Sequence, residues 1–307
     1  MPVFLIHFLD YNSNIVHSFL KGGGMKVGLV LSGGGAKGIA HIGALKALEQ
    51  LGLKADIIAG CSMGSIVGGI YASGKSILEI EDFLINNFNI KKYTEKWTFQ
   101  LAGGPIIKFI QVEEALNSMI IRPGVDNGNK ILTLFRELTY NKSFEQLDIN
   151  FACNAVDLLS GKEICLDTGN VAEAIRASMS IPGVFTPVKR NGMLLVDGGV
   201  INNSPVWIAK KLGAHKILTI QVSPFFEERE DKLKTGISVL LRSMDITLNA
   251  LARTRVNCPD MEIVAYEGAQ TIDFQKKLEL IDTGERAVMK NRDSIYSLFK
   301  KKKFFFA

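Results

Sequence analysis

Proline, cysteine, tryptophan and histidine are all scarce: 8 Pro, 4 Cys, 2 Trp and 4 His in 307 residues. The cysteines (Cys61, Cys153, Cys165 and Cys258) form no C-x-x-C pair and no compact framework. That argues against a zinc site or a disulfide scaffold and reads as reduced thiols of a cytosolic protein. No stretch reaches the roughly 18 apolar residues that a spanning helix needs. No repeat period appears, and no linker is obvious. The formal charge of +5 is too small and too dispersed for nucleic-acid binding, although it permits attraction to an anionic membrane surface. What the chain does have is apolar material, 47% against 22% charged, enough for a packed core. Its 29 glycines gather in tight groups, where backbone must bend or approach something closely.

The length suits one large α/β domain or two small ones. The apolar run in the first 24 residues is short, lacks a basic flank and is broken by Asp10 and Asn12, so it matches a cleaved signal peptide poorly. Residues 1–24 are therefore read as an extension outside the fold, 25–299 as one domain, and 300–307 as a Lys/Phe-rich tail. The tail, Lys300 to Phe306, has the composition of an interfacial anchor and equally of a frayed terminus. From Met25 onward, short apolar runs alternate with helical patterns. Val27–Leu31 and Asp56–Ala59 read as buried strands, and Ile39–Leu51 has near-helical apolar spacing. Residues 76 to 148 read as mostly helical. Strands return at Asn150–Leu158, Glu163–Leu166, Met193–Val196, Lys216–Val222 and Met261–Ala265. Helices are expected over Val171–Ala177, Val206–Leu212, Gly236–Val256 and Asp273–Leu298. This order predicts a three-layer α/β/α sandwich with a mainly parallel central sheet.

Three constellations carry chemistry. Gly60-Cys61-Ser62-Met63-Gly64 is a G-x-S-x-G sequence between a strand and a helix. A serine lifted clear of a sheet sits on a strained strand-to-helix turn, and the flanking glycines avoid clashes there. The helix that follows aims its N–H groups and positive dipole end at the nucleophile. The pattern alone is common by chance; its placement gives it weight. Cys61 is expected to face inward as a small buried hydrophobe.

The second constellation is Gly33-Gly34-Gly35-Ala36-Lys37-Gly38, which also fits G-x-G-x-x-G. A dinucleotide site would need an acidic residue at the end of the second strand, and Gly60-Cys61-Ser62 occupies that place. Consecutive N–H groups at a helix start equally build an oxyanion hole, here from Gly33, Gly34, Gly35, Ala36 and Met63. The third is Asp197-Gly198-Gly199 at a strand end, where the C-terminal ends of parallel strands converge on one crevice. Asp197 is thus the candidate base for Ser62, with Gly38, Gly60, Gly64, Gly198 and Gly199 shaping the turns.

Together with Ala177-Ser178-Met179-Ser180-Ile181-Pro182-Gly183-Val184-Phe185-Thr186-Pro187, these motifs make the stretch from Met25 to Val222 resemble the patatin-like phospholipases, especially short bacterial members. The resemblance implies a Ser62–Asp197 dyad, metal-independent chemistry without a cofactor, and acyl-ester bonds of lipids as substrate. The expected location is cytoplasmic, with peripheral contact at the inner membrane surface. His215 alone follows Asp197 and precedes a strand, where it is not expected to reach the site; His41 reads as a packing residue. A free aspartate, near pKa 3.9, is a weak base, so the site must raise it or lean on the oxyanion hole. A non-catalytic lipid-binding protein of the same fold and a nucleotide-binding α/β enzyme are the alternatives. A degenerate binder would be expected to have lost Ser62 or Asp197.

Overall fold

Val27–Leu31 (β1) and Ile57–Gly60 (β2) are buried along their whole length, as strands covered on both faces must be. The computed structural model describes residues 25–88, 92, 123–234, 236–254, 257–266 and 276–300. Among these, the further strands are β3 (Gly124–Asp126), β4 (Asn150–Asp157), β5 (Glu163–Leu166), β6 (Gly183–Phe185), β7 (Val188–Arg190), β8 (Met193–Asp197), β9 (Lys216–Gln221) and β10 (Met261–Val264). The main sheet runs β10-β9-β1-β2-β4-β8-β7, with β5 also on β4. β10, β9, β1, β2 and β4 are mutually parallel. β5, β7 and β8 run antiparallel to their neighbours.

The helices are α1 (Ala40–Gln50), α2 (Met63–Ala72), α3 (Ile77–Asp82), α4 (Asn129–Leu138), α5 (Val171–Ser178), α6 (Val206–Lys211), α7 (Gly236–Arg253), α8 (Lys277–Lys290) and α9 (Arg292–Phe299). Side chains alternate across the strands. Leu29, Leu31 and Ile58 join the larger core with α1, α2, α5 and α8, whereas Val30, Ile57 and Ala59 meet Val206, Ile208 and Ala209 of α6 on the other face. The sheet is thus sandwiched between helical layers, as its apolar runs predict.

α1 and α8 cross with their backbones in contact. A β-carbon on Gly43 would run into the Ile281 carbonyl, and one on Gly284 into the Ala40 carbonyl. Both helices would have to separate to admit even a methyl group. Gly43→Ala or Gly284→Ala is expected to lower stability by about 1–3 kcal/mol. An unchanged denaturation midpoint would show that the crossing adjusts freely.

Three expectations need correction. The helix expected over Asp273–Leu298 is two helices broken at Asn291, with residues 273–275 outside the described set. Gly124–Asp126, inside the stretch expected to be mostly helical, forms β3, which pairs with β6 in a separate two-stranded sheet. β8 enters antiparallel to β4, not as another parallel strand. Residues 1–24, residues 89–91 and 93–122 of the stretch read as mostly helical, and the tail beyond Lys300 lie outside the described residues.

Candidate active site

Ser62 joins β2 to α2 with φ 49° and ψ −118°, a backbone conformation that costs a non-glycine residue about 1–3 kcal/mol. The turn is held from several sides. Ser62 N–H donates to Ser178 Oγ at 3.1 Å. The Ser62 carbonyl accepts from Ser65 Oγ at 2.6 Å and from the Ser65 and Ile66 N–H groups. A β-carbon on Gly60 would lie 2.6 Å from the Gly64 carbonyl oxygen and the Ser65 backbone, and one on Gly64 would enter the Leu31 carbonyl. The glycines therefore let the elbow seat directly on the end of β1. Ser62 is 8% exposed, so it sits just beneath the surface at the end of β2.

Asp197 reaches the same place by an unexpected route. β2 pairs with β4 over Asn150–Cys153, β5 over Cys153–Val156 and β8 over Ala155–Asp157. β5 overlaps both other partners, and a strand has only two edges, so β2 and β8 share one edge of β4. They arrive from opposite directions, and their C-terminal ends meet head to head. Ser62 leaves one end and Asp197 the other. The sequence reading had the edge right and the strand direction wrong.

Asp197 is 5% exposed and, among the described residues, forms no ion pair. Its N–H donates to Ser180 O at 2.9 Å. Its Oδ1 accepts from Gly199 N–H at 2.7 Å and lies 3.8 Å from the Cys61 thiol. Burial raises its pKa to about 6, because the charged form loses water. Hydrogen bonds from the Ser62 hydroxyl, Gly199 N–H and Cys61 thiol act in the opposite direction. Desolvation thus makes this carboxylate more basic, one of the two routes that the sequence reading leaves open.

The glycine loop interlocks with the elbow. A β-carbon on Gly33 would stand 3.2 Å from Ser62 Cβ, and one on Gly38 would enter the Met63 side chain. Gly33 N–H donates to Asn203 O at 3.0 Å, while Asn203 Nδ2 donates to Gly33 O at 3.0 Å. That N–H is committed, so Gly33 contributes closeness and not a donor. Among the described residues, the N–H groups of Gly34, Gly35, Ala36 and Met63 meet no acceptor. Gly35, at φ 56°, needs the conformational freedom of glycine. Lys37 Nζ sits 4.9 Å from the Tyr266 ring centroid.

The two histidines among the described residues lie elsewhere in the network. His215 N–H donates to Lys26 O, and its Nδ1 accepts from Lys26 N–H at 3.1 Å. It precedes β9, at the N-terminal end of the strands and away from the elbow. His41 is buried with Nε2 2.7 Å from Ser32 O, and burial lowers its pKa to about 4. It is a neutral packing residue that steadies the loop.

Two contributors escaped the sequence reading. Ser178 ties α5 to the elbow, and Asn203 ties the segment after Asp197-Gly198-Gly199 to the glycine loop. Ser178 lay inside a block already noted; Asn203 had no local signal beyond its Asn202-Asn203 turn character. Cys61 is buried as expected, but its thiol also touches the carboxylate. Among the described residues, no group of three His, Cys, Asp or Glu side chains is placed to hold a metal ion.

Residues 29–210 match the family model described as Patatin-like phospholipase. An uncharacterized NTE family protein of Mycobacterium tuberculosis is 36% identical over 198 residues, covering 64% of this chain and 49% of that protein. A protein named lysophospholipase NTE1 from Cryptococcus neoformans is 34% identical over 203 residues, 65% of this chain and 11% of its own. The chain thus spans about half of the mycobacterial relative and a small part of the fungal one. Among solved structures, VipD from Legionella pneumophila aligns with a TM-score of 0.50 at 18% identity, over 88% of this chain and 67% of that one. At that identity the likeness concerns the fold alone.

Proposed function

Because the chain belongs to the patatin-like phospholipase family, we propose that it hydrolyses acyl esters of phospholipids or lysophospholipids through a Ser62–Asp197 dyad. The observation that carries this reading is the head-on meeting of β2 and β8. It brings a serine on a strained elbow to a buried carboxylate whose pKa is raised to about 6. A hydroxyl and a carboxylate with that pKa make a nucleophile and a general base suited to neutral pH.

In the proposed mechanism, Asp197 takes the Ser62 proton as Oγ attacks the ester carbonyl. Negative charge on the carbonyl oxygen is received by N–H groups of Gly34, Gly35, Ala36 and Met63, and losing one such donor typically costs about 3–4 kcal/mol. Collapse of the tetrahedral intermediate breaks the bond to the alcohol, which leaves with the proton held by Asp197. Water then gives a proton to Asp197 and attacks the acyl-Ser62 ester. The fatty acid departs, and the proton returns to Ser62 Oγ.

Fluorophosphonate labelling tests the nucleophile, and a panel of phospholipid, lysophospholipid, triglyceride and short-chain esters tests the substrate class. A folded protein that resists the probe and turns over no ester would sink the reading. His215→Ala separates a dyad from a triad, because His215 lies far from the elbow. The variant is expected to keep short-chain ester turnover within about twofold of the parent. Complete loss of activity in a folded His215→Ala protein would overturn the dyad.

A further inference from the structure

β4 extends past its pairing with β2, then turns through Leu158-Leu159-Ser160-Gly161 and returns as β5. Leu158 is five residues beyond Cys153, the partner of Gly60. At 3.3 Å per strand residue, the turn stands about 16 Å past the end of β2. It projects from the sheet edge that carries Ser62 and Asp197.

The turn is rigidly built without help from its leucines. The Asp157 carboxylate accepts from Leu159 N–H at 3.2 Å, Ser160 N–H at 3.2 Å, Ser160 Oγ at 2.6 Å and Leu194 N–H at 3.0 Å. Gly161 supplies the left-handed residue at φ 69°. Aspartate, serine and glycine meet the requirements of such a turn, and its geometry asks for no apolar side chain at positions 158 and 159. Yet Leu158 and Leu159 are 50% and 69% exposed.

The surroundings complete an amphipathic surface. A groove of about 430 Å³ runs beside the turn along the β7–β8 hairpin, walled by Leu159, Lys189, Arg190, Met193 and Leu194. Ile181 is also exposed and follows Ser180, whose carbonyl holds the Asp197 N–H. Lys162 and Lys189 are exposed, and among the described residues neither pairs with a carboxylate. Of the nearby carboxylates, Glu163 accepts from Asn154 Nδ2, Asp167 pairs with Lys211, and Asp157 is taken up by the N–H and hydroxyl groups of the turn.

We propose that the Leu158-Leu159 turn, with Lys162 and Lys189, is the surface by which this chain rests on an anionic lipid bilayer. The leucines enter the acyl boundary, and the lysines meet lipid phosphates. A protruding apolar tip beside unpaired lysines suits a membrane better than a protein partner, because lysine is depleted from protein interfaces. The proposal deepens the lipid-hydrolase reading, since docking here would turn the Ser62 site towards the bilayer.

Co-sedimentation with vesicles tests it, using phosphatidylcholine alone and phosphatidylcholine mixed equally with phosphatidylserine. The parent protein is expected to sediment with the mixed vesicles. Replacing both leucines, Leu158→Ser with Leu159→Ser, is expected to weaken that binding by about tenfold or more. Turnover of a soluble short-chain ester serves as the control for an intact fold. Lys162→Glu with Lys189→Glu is expected to remove the preference for anionic vesicles. A parent protein that stays in solution with both vesicle types overturns the proposal, as does a double-serine variant that sediments like the parent. Leu159→Trp gives a second measurement: its added fluorescence should shift to the blue on mixed vesicles and be quenched by brominated acyl chains. An unshifted spectrum also overturns insertion. Failure of the hydrolase reading looks different, because the parent would then turn over no soluble ester whatever the vesicles show.

Discussion

Ser62→Ala is expected to lower ester turnover by about four orders of magnitude or more, comparable to loss of the nucleophile in other serine hydrolases. Fluorophosphonate labelling should disappear with it. Every backbone contact of the elbow survives this change: Ser178 still accepts from residue 62 N–H, and Ser65 still caps its carbonyl. The variant loses only the hydroxyl's hydrogen bond to Asp197, so it should still fold, at a cost of about 1–3 kcal/mol. Ser62→Gly separates the chemistry from the strain. It loses the same oxygen but relaxes a φ of 49°, so it should be as inactive as Ser62→Ala and more stable by about 1 kcal/mol. Equal denaturation midpoints for the two variants would mean that the elbow stores little strain. Residual labelling of Ser62→Ala would place the nucleophile elsewhere.

The parts legible in the sequence are those whose causes are local. Val27–Leu31 and Ile57–Gly60 are short apolar runs that only a doubly covered strand accommodates. Gly60 and Gly64 announce the elbow because a β-carbon at either position meets backbone a few residues away or on the neighbouring strand. Asp197 was singled out by position: the two glycines after it mark only a turn, but that turn ends a strand at the edge expected to carry the elbow and the glycine loop. Strand direction is another matter. Nothing in Met193–Asp197 records that its partner, β4, runs the opposite way, because that is decided by the β7–β8 hairpin and by the length β4 extends past β2. Contacts across large separations were equally silent. Asn203 meets Gly33 across 170 residues, and Ser178 meets Ser62 across 116. Both depend on the finished sheet. β3 and β6, at three residues each, are too short to show a period.

Asp197→Asn should remove activity and strengthen the fold at the same time. As a base, Asp197 must be ionised, so kcat/KM is expected to fall about tenfold per pH unit below about 6. Asparagine cannot take the Ser62 proton, and a loss of about four orders of magnitude should follow. Stability runs the other way. Burial raises the folded-state pKa from 3.8 to about 6, so the folded chain holds this proton more tightly than the unfolded chain does. The resulting stabilisation is complete below about pH 4 and is lost as pH rises through 6. Above pH 7 the ionised carboxylate costs the fold roughly 3 kcal/mol relative to its protonated form, from about two pK units. Asparagine is neutral at every pH and still offers Oδ1 to Gly199 N–H. The variant should melt roughly 5–10 °C above the parent at pH 8, with the gap closing as the pH approaches 4. A variant less stable than the parent at pH 8 would show that hydrogen bonds from Ser62, Gly199 and Cys61 outweigh the burial of charge. A raised pKa is what the proposed histidine-free dyad asks of its base, so the stability sacrificed at neutral pH and the proposed activity would share one physical cause.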